Sequence, residues 1–269
     1  MTKTDQYLKL VMESRFPLPS YPLDFLKKQY LKLSKKNIQK NSNTGLEIVK
    51  HFHPSIWRCN IKNHKSPIEA WNDPIIMTKV IENRFKYLKT KELSINNIAK
   101  GLSITKLAPK VSIFKPTYAK YLIEKYLNEF DTIFDPCSGL SGRLLGACIL
   151  NKKYIGQDIN SISVKESNGI ISFLNLEAKV IIKDSIYDKG IYDCLFTCPP
   201  YSDKENWHQD IEILETDEWI DTVLKNYKCK KYLFVVDNTF KYKDYIVETA
   251  DNRSHFGKNT EKIILIEKC

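Results

Sequence analysis

The pattern of apolar and polar positions changes character part-way along the chain. From about residue 112 onward, short apolar runs recur, each closing on polar or turn-forming residues. Thr132–Asp135, Tyr154–Asp158, Lys179–Asp184, Tyr192–Thr197 and Lys231–Asp237 have the length and the β-branched or aromatic content of buried strands. Leu144–Leu150 reads as a helix after the first of them, and Tyr245–Arg253 and Glu261–Glu267 read as a closing pair. Strands alternating with helices predict an α/β domain. Ahead of residue 112 the period is helical instead. Leu23, Leu26, Tyr30 and Leu33 mark one face of a helix over Pro22–Ser34, and Met77, Ile81 and Phe85 one over Asp73–Tyr87. Pro17 and Pro19 keep the chain extended before Pro22 opens the first of these, and Ser66 and Glu69 have the spacing of a capping box. Both apolar faces are expected to pack on neighbouring elements.

The expected organisation is therefore a mostly helical region over residues 1–110 and an α/β domain over residues 111–269. With 269 residues and 42% hydrophobic content, the chain can bury one large core with a smaller attachment. Charge sharpens the division. Residues 1–110 hold 21 basic and 8 acidic side chains, whereas residues 111–269 hold 21 and 24, so the whole excess of +10 lies in the first region. Such a block is the electrostatic footprint of phosphate binding. A lysine-rich coding bias would not leave the second segment net acidic.

Other classes drop out. No apolar run approaches the ~20 residues of a membrane helix, so no membrane partner is expected. Lys3, Asp5, Lys9, Glu13 and Arg15 interrupt any secretory core near the start. Seven scattered cysteines without framework spacing point to reduced thiols and a cytoplasmic setting.

Candidate chemistry gathers at strand ends. The run from Tyr192 stops at Pro199 and Pro200, which cannot donate to a ladder, and Tyr201 follows at once. A rigid shelf with an aromatic ring, at the carboxyl end of a strand, suits a flat base lifted out of a nucleic-acid stack. Gly139 and Gly142 allow a tight turn after the first strand, although their Gly-x-x-Gly spacing is not the dinucleotide fingerprint. Asp158 ends the next strand, where a carboxylate can take ribose hydroxyls or cap the segment from Asn160. Asp184 could receive an adenine amino group or serve a turn. Glu205 and Trp207, just past the shelf, could form a lid or a surface loop. His51, His53, Cys59 and His64 match no standard zinc spacing, so no metal is assigned and packing or groove lining is expected of them.

Taken in order, these motifs resemble the S-adenosylmethionine-dependent DNA amino-methyltransferases, which modify adenine at N6 or cytosine at N4. The resemblance covers roughly residues 112–269. It implies a Rossmann-like class I methyltransferase sheet, S-adenosylmethionine as cofactor and double-stranded DNA as partner, with a cognate restriction enzyme as a further candidate partner. By this resemblance Asp135-Pro136-Cys137-Ser138-Gly139 and Gly142 bind the methionine part of the cofactor. Asp158 takes the ribose, Asp184 the adenine, and Phe114 and Lys115, heading a helix at Pro116, form a further cofactor motif. Cys198, Pro199, Pro200 and Tyr201 correspond to the catalytic tetrapeptide. Two positions depart from the family: Ser141 stands where its second glycine falls, and Cys198 where it usually has Asp, Asn or Ser.

A thiol is a weak acceptor, so more of the amino-proton acceptance passes to the Pro199 carbonyl. Serine is the usual residue nearest in size, and Ser-Pro-Pro-Tyr is commonest among the cytosine-N4 enzymes, which favours cytosine N4 over adenine N6. The alternatives are an RNA base methyltransferase, a carbon-5 enzyme using Cys198 as nucleophile, and a non-catalytic nucleic-acid-binding subunit. Only about 30 residues separate Tyr201 from the strand at Lys231, too few for an inserted recognition domain. Target recognition is therefore expected in residues 1–110 or in a partner.

Overall fold

The computed structural model describes residues 2–88, 92–200, 205–206, 214–237, 246–250 and 261–267. Tyr201, Trp207 and the 254–260 connection lie outside the described residues. The helices are α1 (Lys3–Met12), α2 (Leu23–Leu33), α3 (Leu46–Phe52), α4 (Pro67–Trp71), α5 (Pro74–Leu88), α6 (Ile95–Ile104), α7 (Pro116–Tyr126), α8 (Gly142–Cys148), α9 (Ser161–Leu174) and α10 (Thr216–Asn226). The main sheet is built from β1 (Thr132–Asp135), β2 (Lys153–Asp158), β3 (Ala178–Ile182), β4 (Cys194–Thr197), β5 (Lys231–Asp237), β6 (Ile246–Ala250) and β7 (Glu261–Glu267).

The spatial order is β3-β2-β1-β4-β5-β7-β6, parallel from β3 to β5, with β7 antiparallel to both β5 and β6. The chain runs outward from β1 through α8 and α9, returns to β4 on the other side of β1, and runs outward again. This is the doubly wound, Rossmann-like α/β sheet, and its order reverses between β1 and β4. The central strands are apolar without alternation because both faces are covered: all of β4 is buried, as are Tyr232 to Val236 of β5. Trp219, Ile220 and Val223 of α10 pack there against Phe134, Leu195, Phe234 and Val236.

The expected strands are present with shifted ends. Strand β3 stops at Ile182, before Asp184, and β4 starts at Cys194, while Gly190–Ile191 forms a separate parallel pair with Tyr227–Lys228. Helix α8 starts at Gly142, two residues before the apolar run suggested, because Ser141 takes the N-cap position.

The chain divides into two compact units. One comprises the described residues of Met1–Ser20, Pro54–Val111 and Asp203–Asp210; the other those of Tyr21–His53, Ser112–Ser202 and Ile211–Cys269. The first unit packs α1, α4, α5 and α6 around Val11, Trp71, Met77, Val80, Ile98 and Leu102. The Trp71 indole donates to the Ser14 carbonyl at 3.1 Å, and Ser66 and Glu69 form the reciprocal capping box their spacing suggested. Asn60–Ile61 pairs antiparallel with Glu205–Asn206, so Glu205 is a ladder residue.

Residues 21–53 belong to the unit that carries the sheet, unlike the rest of the first 110. Helix α7 holds them there. The buried Lys120 ammonium donates to the carbonyls of Leu33 (2.9 Å) and Lys35 (3.0 Å), satisfying the end of α2. The Thr117 hydroxyl bonds the carbonyls of Lys40 and Ser42, and the Lys115 ammonium that of Asn41. Among the described residues no helix is long and apolar enough to cross a membrane.

Candidate cofactor and base site

Two loops leave the carboxyl edge of the sheet at the point where its order reverses. Residues 136–141 follow β1, and Cys198-Pro199-Pro200 follow β4, its neighbour. In open α/β sheets that crevice is the ligand site. The Thr197 hydroxyl donates to Asp135 Oδ1 at 2.8 Å, tying the two strand ends together.

Asp135 is the hub of the site. Its fully buried carboxylate accepts from Arg143 Nε (2.6 Å), Tyr154 Oη (2.6 Å), Thr197 Oγ1 (2.8 Å) and the Cys137 amide (3.2 Å). Arg143 also donates to the Cys137 carbonyl. Burial works against the Arg143 charge, and Asp135 more than offsets it, holding the guanidinium above its ordinary range. The Tyr154 phenol is pushed up by burial and then by the Asp135 charge. These bonds tie the glycine loop, α8, β2 and β4 to one carboxylate. Arg143, Tyr154 and Thr197 were not anticipated from the sequence. The signal for Arg143 was a lone guanidinium among Leu and Ala, since a buried charge has to be paired.

The glycine turn is anchored through several of its backbone groups. The Ser138 amide bonds the Gln157 carbonyl at 2.8 Å, the Gly139 amide bonds Asp158 Oδ2 at 2.8 Å, and the Gly139 carbonyl accepts from Ser163 Oγ at 2.6 Å. Gly139 has φ +56°, and a Cβ there would meet no atom of the described residues within 4 Å, so the turn is open on that side among them. Gly142 is the opposite case: a Cβ there would lie 1.9 Å from the Phe114 carbonyl oxygen. The Phe114 motif is thus pressed against the turn. Its ring stacks on Tyr118 (5.6 Å between centroids), meets Phe196 edge-on (5.8 Å) and lies 5.1 Å from the Arg143 guanidinium carbon. The Lys115 side chain points elsewhere, to Asn41. Pro136 is buried. Burial pushes the Cys137 thiol well above its ordinary range, with the Asp158 charge adding to it and Cys198 contributing.

Asp158 does two jobs at once. Its Oδ1 accepts the Asn160 amide at 2.9 Å, while Asn160 itself caps α9 through the amides of Ile162 and Ser163. Burial lifts the Asp158 carboxyl above its ordinary range against the pull of the Asn160 and Gly139 amides. Asp184 lies beyond the end of β3 in a turn, where its Oδ1 takes the Ile186 amide at 3.0 Å. Another acid, Asp188, faces β2 instead, bonded by Gln157 Nε2 (2.6 Å) and Lys183 Nζ (2.9 Å); Tyr227 Oη donates to Gln157 Oε1. Burial raises the Asp188 carboxyl, but Lys183 and Gln157 outweigh it and the net shift is downward.

At the shelf, Pro199 is buried and Cys198 half-buried. The histidines do not act together. His51 Nδ1 accepts the Tyr21 amide, His53 bonds within the glycine-turn region, and Cys59 and His64 belong to the other compact unit. Among the described residues no three His, Cys, Asp or Glu side chains cluster as metal ligands.

No family model matches the chain, and no curated protein matches it. Solved structures similar to it include a Pyrococcus horikoshii protein provisionally assigned as an RNA methyltransferase, at 13% identity, covering 57% of this chain and 83% of that one with a TM-score of 0.44. TehB of Haemophilus influenzae is 15% identical, over 56% of this chain and 67% of that one, with a TM-score of 0.41. The Thermus thermophilus 16S rRNA N2 G1207 methyltransferase is 14% identical, over 56% and 43%, with a TM-score of 0.41. Likenesses of that size decide neither substrate nor activity.

Proposed function

We propose that the chain is an S-adenosylmethionine-dependent methyltransferase acting on the exocyclic amino group of a flipped base in duplex DNA, with cytosine N4 ahead of adenine N6. The observation that supports it most is the meeting of two loops at one sheet reversal, the glycine turn after β1 and Cys198-Pro199-Pro200 after β4.

The residues present fit such a cofactor. The turn at Gly139 is open on one side among the described residues. The Ser138 hydroxyl is buried and has no hydrogen-bond partner among the described residues, a group in need of one. Asp158 keeps lone pairs for ribose hydroxyls after accepting two amides. When bound, the cofactor supplies an electrophilic methyl group. The chain supplies position and acceptors: the two prolines hold the shelf rigid, and the Pro199 carbonyl and Cys198 sulfur would accept from the amino hydrogens of a bound base. Phosphate contacts fall to the basic segments. Residues 25–46 contain no acid, and Lys27, Lys28, Lys32, Lys35 and Lys36 are all exposed on the unit that carries the sheet.

The test is incubation with methyl-labelled S-adenosylmethionine and mixed-sequence duplex DNA, followed by digestion and mass identification of the labelled nucleoside. N4-methylcytosine or N6-methyladenine is expected. Label at cytosine carbon 5 would make Cys198 the nucleophile, and label in RNA alone would move the substrate to RNA. Nucleic-acid binding without cofactor binding would leave a binding subunit.

A further inference from the structure

Ser141 is the residue of the glycine turn that should not be there. It has φ 62° and ψ 8°, the left-handed region that a side chain other than glycine seldom adopts. It caps α8, yet its hydroxyl makes no bond to the helix it caps. That hydroxyl is used elsewhere. Ser141 Oγ donates to Ser167 Oγ at 2.7 Å and lies 2.9 Å from His53 Nε2, while His53 Nδ1 lies 3.0 Å from Glu166 Oε2. The single hydrogen of Ser141 goes to Ser167, so the Ser141 oxygen accepts and His53 Nε2 donates. Nδ1 faces the Glu166 carboxylate. Both ring nitrogens are thus engaged.

His53 is delivered from the N-terminal stretch. It caps the end of α3, its amide donating to the Val49 carbonyl at 2.8 Å. Helix α3 is seated on α9 through Phe52, whose ring lies 5.1 Å from that of Phe173. Glu166 and Ser167 belong to α9 as well. The chain Glu166–His53–Ser141–Ser167 thus spans from residue 53 to residue 167 through the turn. It has the order of an acid–base–hydroxyl triad, but Ser141 is 1% exposed and His53 and Ser167 are sealed. No substrate can reach that hydroxyl, which argues for positioning rather than nucleophilic attack.

We propose that His53 is a positioning residue for the cofactor turn: its ring clamps the Ser141 hydroxyl and so holds Ser141 in the left-handed conformation that sets Gly139 and Gly142 on either side. A glycine at this position would need no clamp, because it adopts that conformation freely. The clamp therefore ties residues 21–53 to the binding turn of the sheet. The inference rests on the cofactor reading above, and its test separates the two.

The experiment is a double-mutant cycle on the full chain with His53→Ala, Ser141→Gly and the pair, read by calorimetric affinity for S-adenosylmethionine and by amide exchange at residues 138–142. His53→Ala should weaken cofactor affinity about tenfold, the order of one missing hydrogen bond, and speed exchange in the turn. In the Ser141→Gly background the same substitution should change affinity less than about threefold. An equal loss in both backgrounds, or none in either, would overturn the clamp. If His53→Ala does not fold, His53→Leu, which keeps bulk but has no donor, replaces it in the same cycle. If the unmodified protein binds no S-adenosylmethionine, the cofactor reading falls, and the clamp is judged on exchange alone: unchanged exchange in His53→Ala would sink it.

Discussion

Asp135 and Arg143 form an ion pair sealed from water, with Nε 2.6 Å from Oδ2 and side-chain exposures of 0% and 5%. It joins the end of β1 to the first turn of α8 across the glycine turn. Removing one partner leaves the other charge buried and unpaired, so Asp135→Asn should destabilise the fold by roughly 3–5 kcal/mol. Urea unfolding measures this, and a combined Asp135→Asn, Arg143→Met variant should recover a large part of the loss.

The two glycines of the turn should respond differently to alanine. Gly142→Ala drives a methyl into the Phe114 carbonyl, 1.9 Å from its oxygen, so the turn or Phe114 has to move and thermal stability should fall sharply. Gly139→Ala meets no atom of the described residues within 4 Å but sits at φ +56°, a strain of about 1–2 kcal/mol. That variant should fold, while its methyl intrudes on the open side of the turn. Calorimetry should find cofactor affinity reduced by more than about tenfold, with only a modest change in melting temperature.

Asp158 makes a pH prediction with a definite sign. Burial raises its carboxyl above the ordinary 3.8, outweighing the amides of Asn160 and Gly139. The folded chain then holds this proton more tightly than the unfolded chain. The Asp158 contribution to stability falls as pH rises from the unfolded value through the folded one, then levels. Asp158→Asn removes that titration. The difference in unfolding free energy, variant minus wild type, should grow with pH across that acid window, and a shrinking difference would contradict the shift.

Cys198→Ser distinguishes two chemistries. If Cys198 only lines the shelf and accepts amino hydrogens, serine should keep methylation within about tenfold, since a hydroxyl is the better acceptor. A nucleophilic thiol would instead leave the variant inactive. Single-turnover rates with labelled cofactor separate the outcomes.

Exchange of Lys27, Lys28, Lys32, Lys35 and Lys36 for glutamine should weaken DNA binding and flatten its salt dependence. The log–log slope should shrink by about 0.9 for each phosphate that is no longer neutralised. All five side chains are exposed, so the melting temperature should hardly move. A slope identical to that of the unmodified protein would place the phosphate-binding surface elsewhere.

What the sequence alone determined is local and periodic. Five apolar runs closing on turn-forming residues marked β1 to β5; in the central strands β4 and β5 both faces are covered, so the apolar stretch runs unbroken. Pro22 and the Ser66–Glu69 pair marked helix starts, since caps act within one turn. The glycine turn, Asp158 and Cys198-Pro199-Pro200 were legible because each lies a few residues from its own strand end. Tertiary structure decided what those residues do. Asp135 became a hub because Arg143, Tyr154 and Thr197, on α8, β2 and β4, converge on one buried carboxylate that none of those segments predicts. Asp184 fell into a turn while Asp188 faced Gln157 of β2. Residues 21–53 joined the sheet unit because α7 satisfies their carbonyls, and His53 met Ser141 across 88 positions because α3 packs on α9. A partner at that separation leaves no trace in a period of two or 3.6 residues; only the packing of whole elements brings the two side chains within bonding distance.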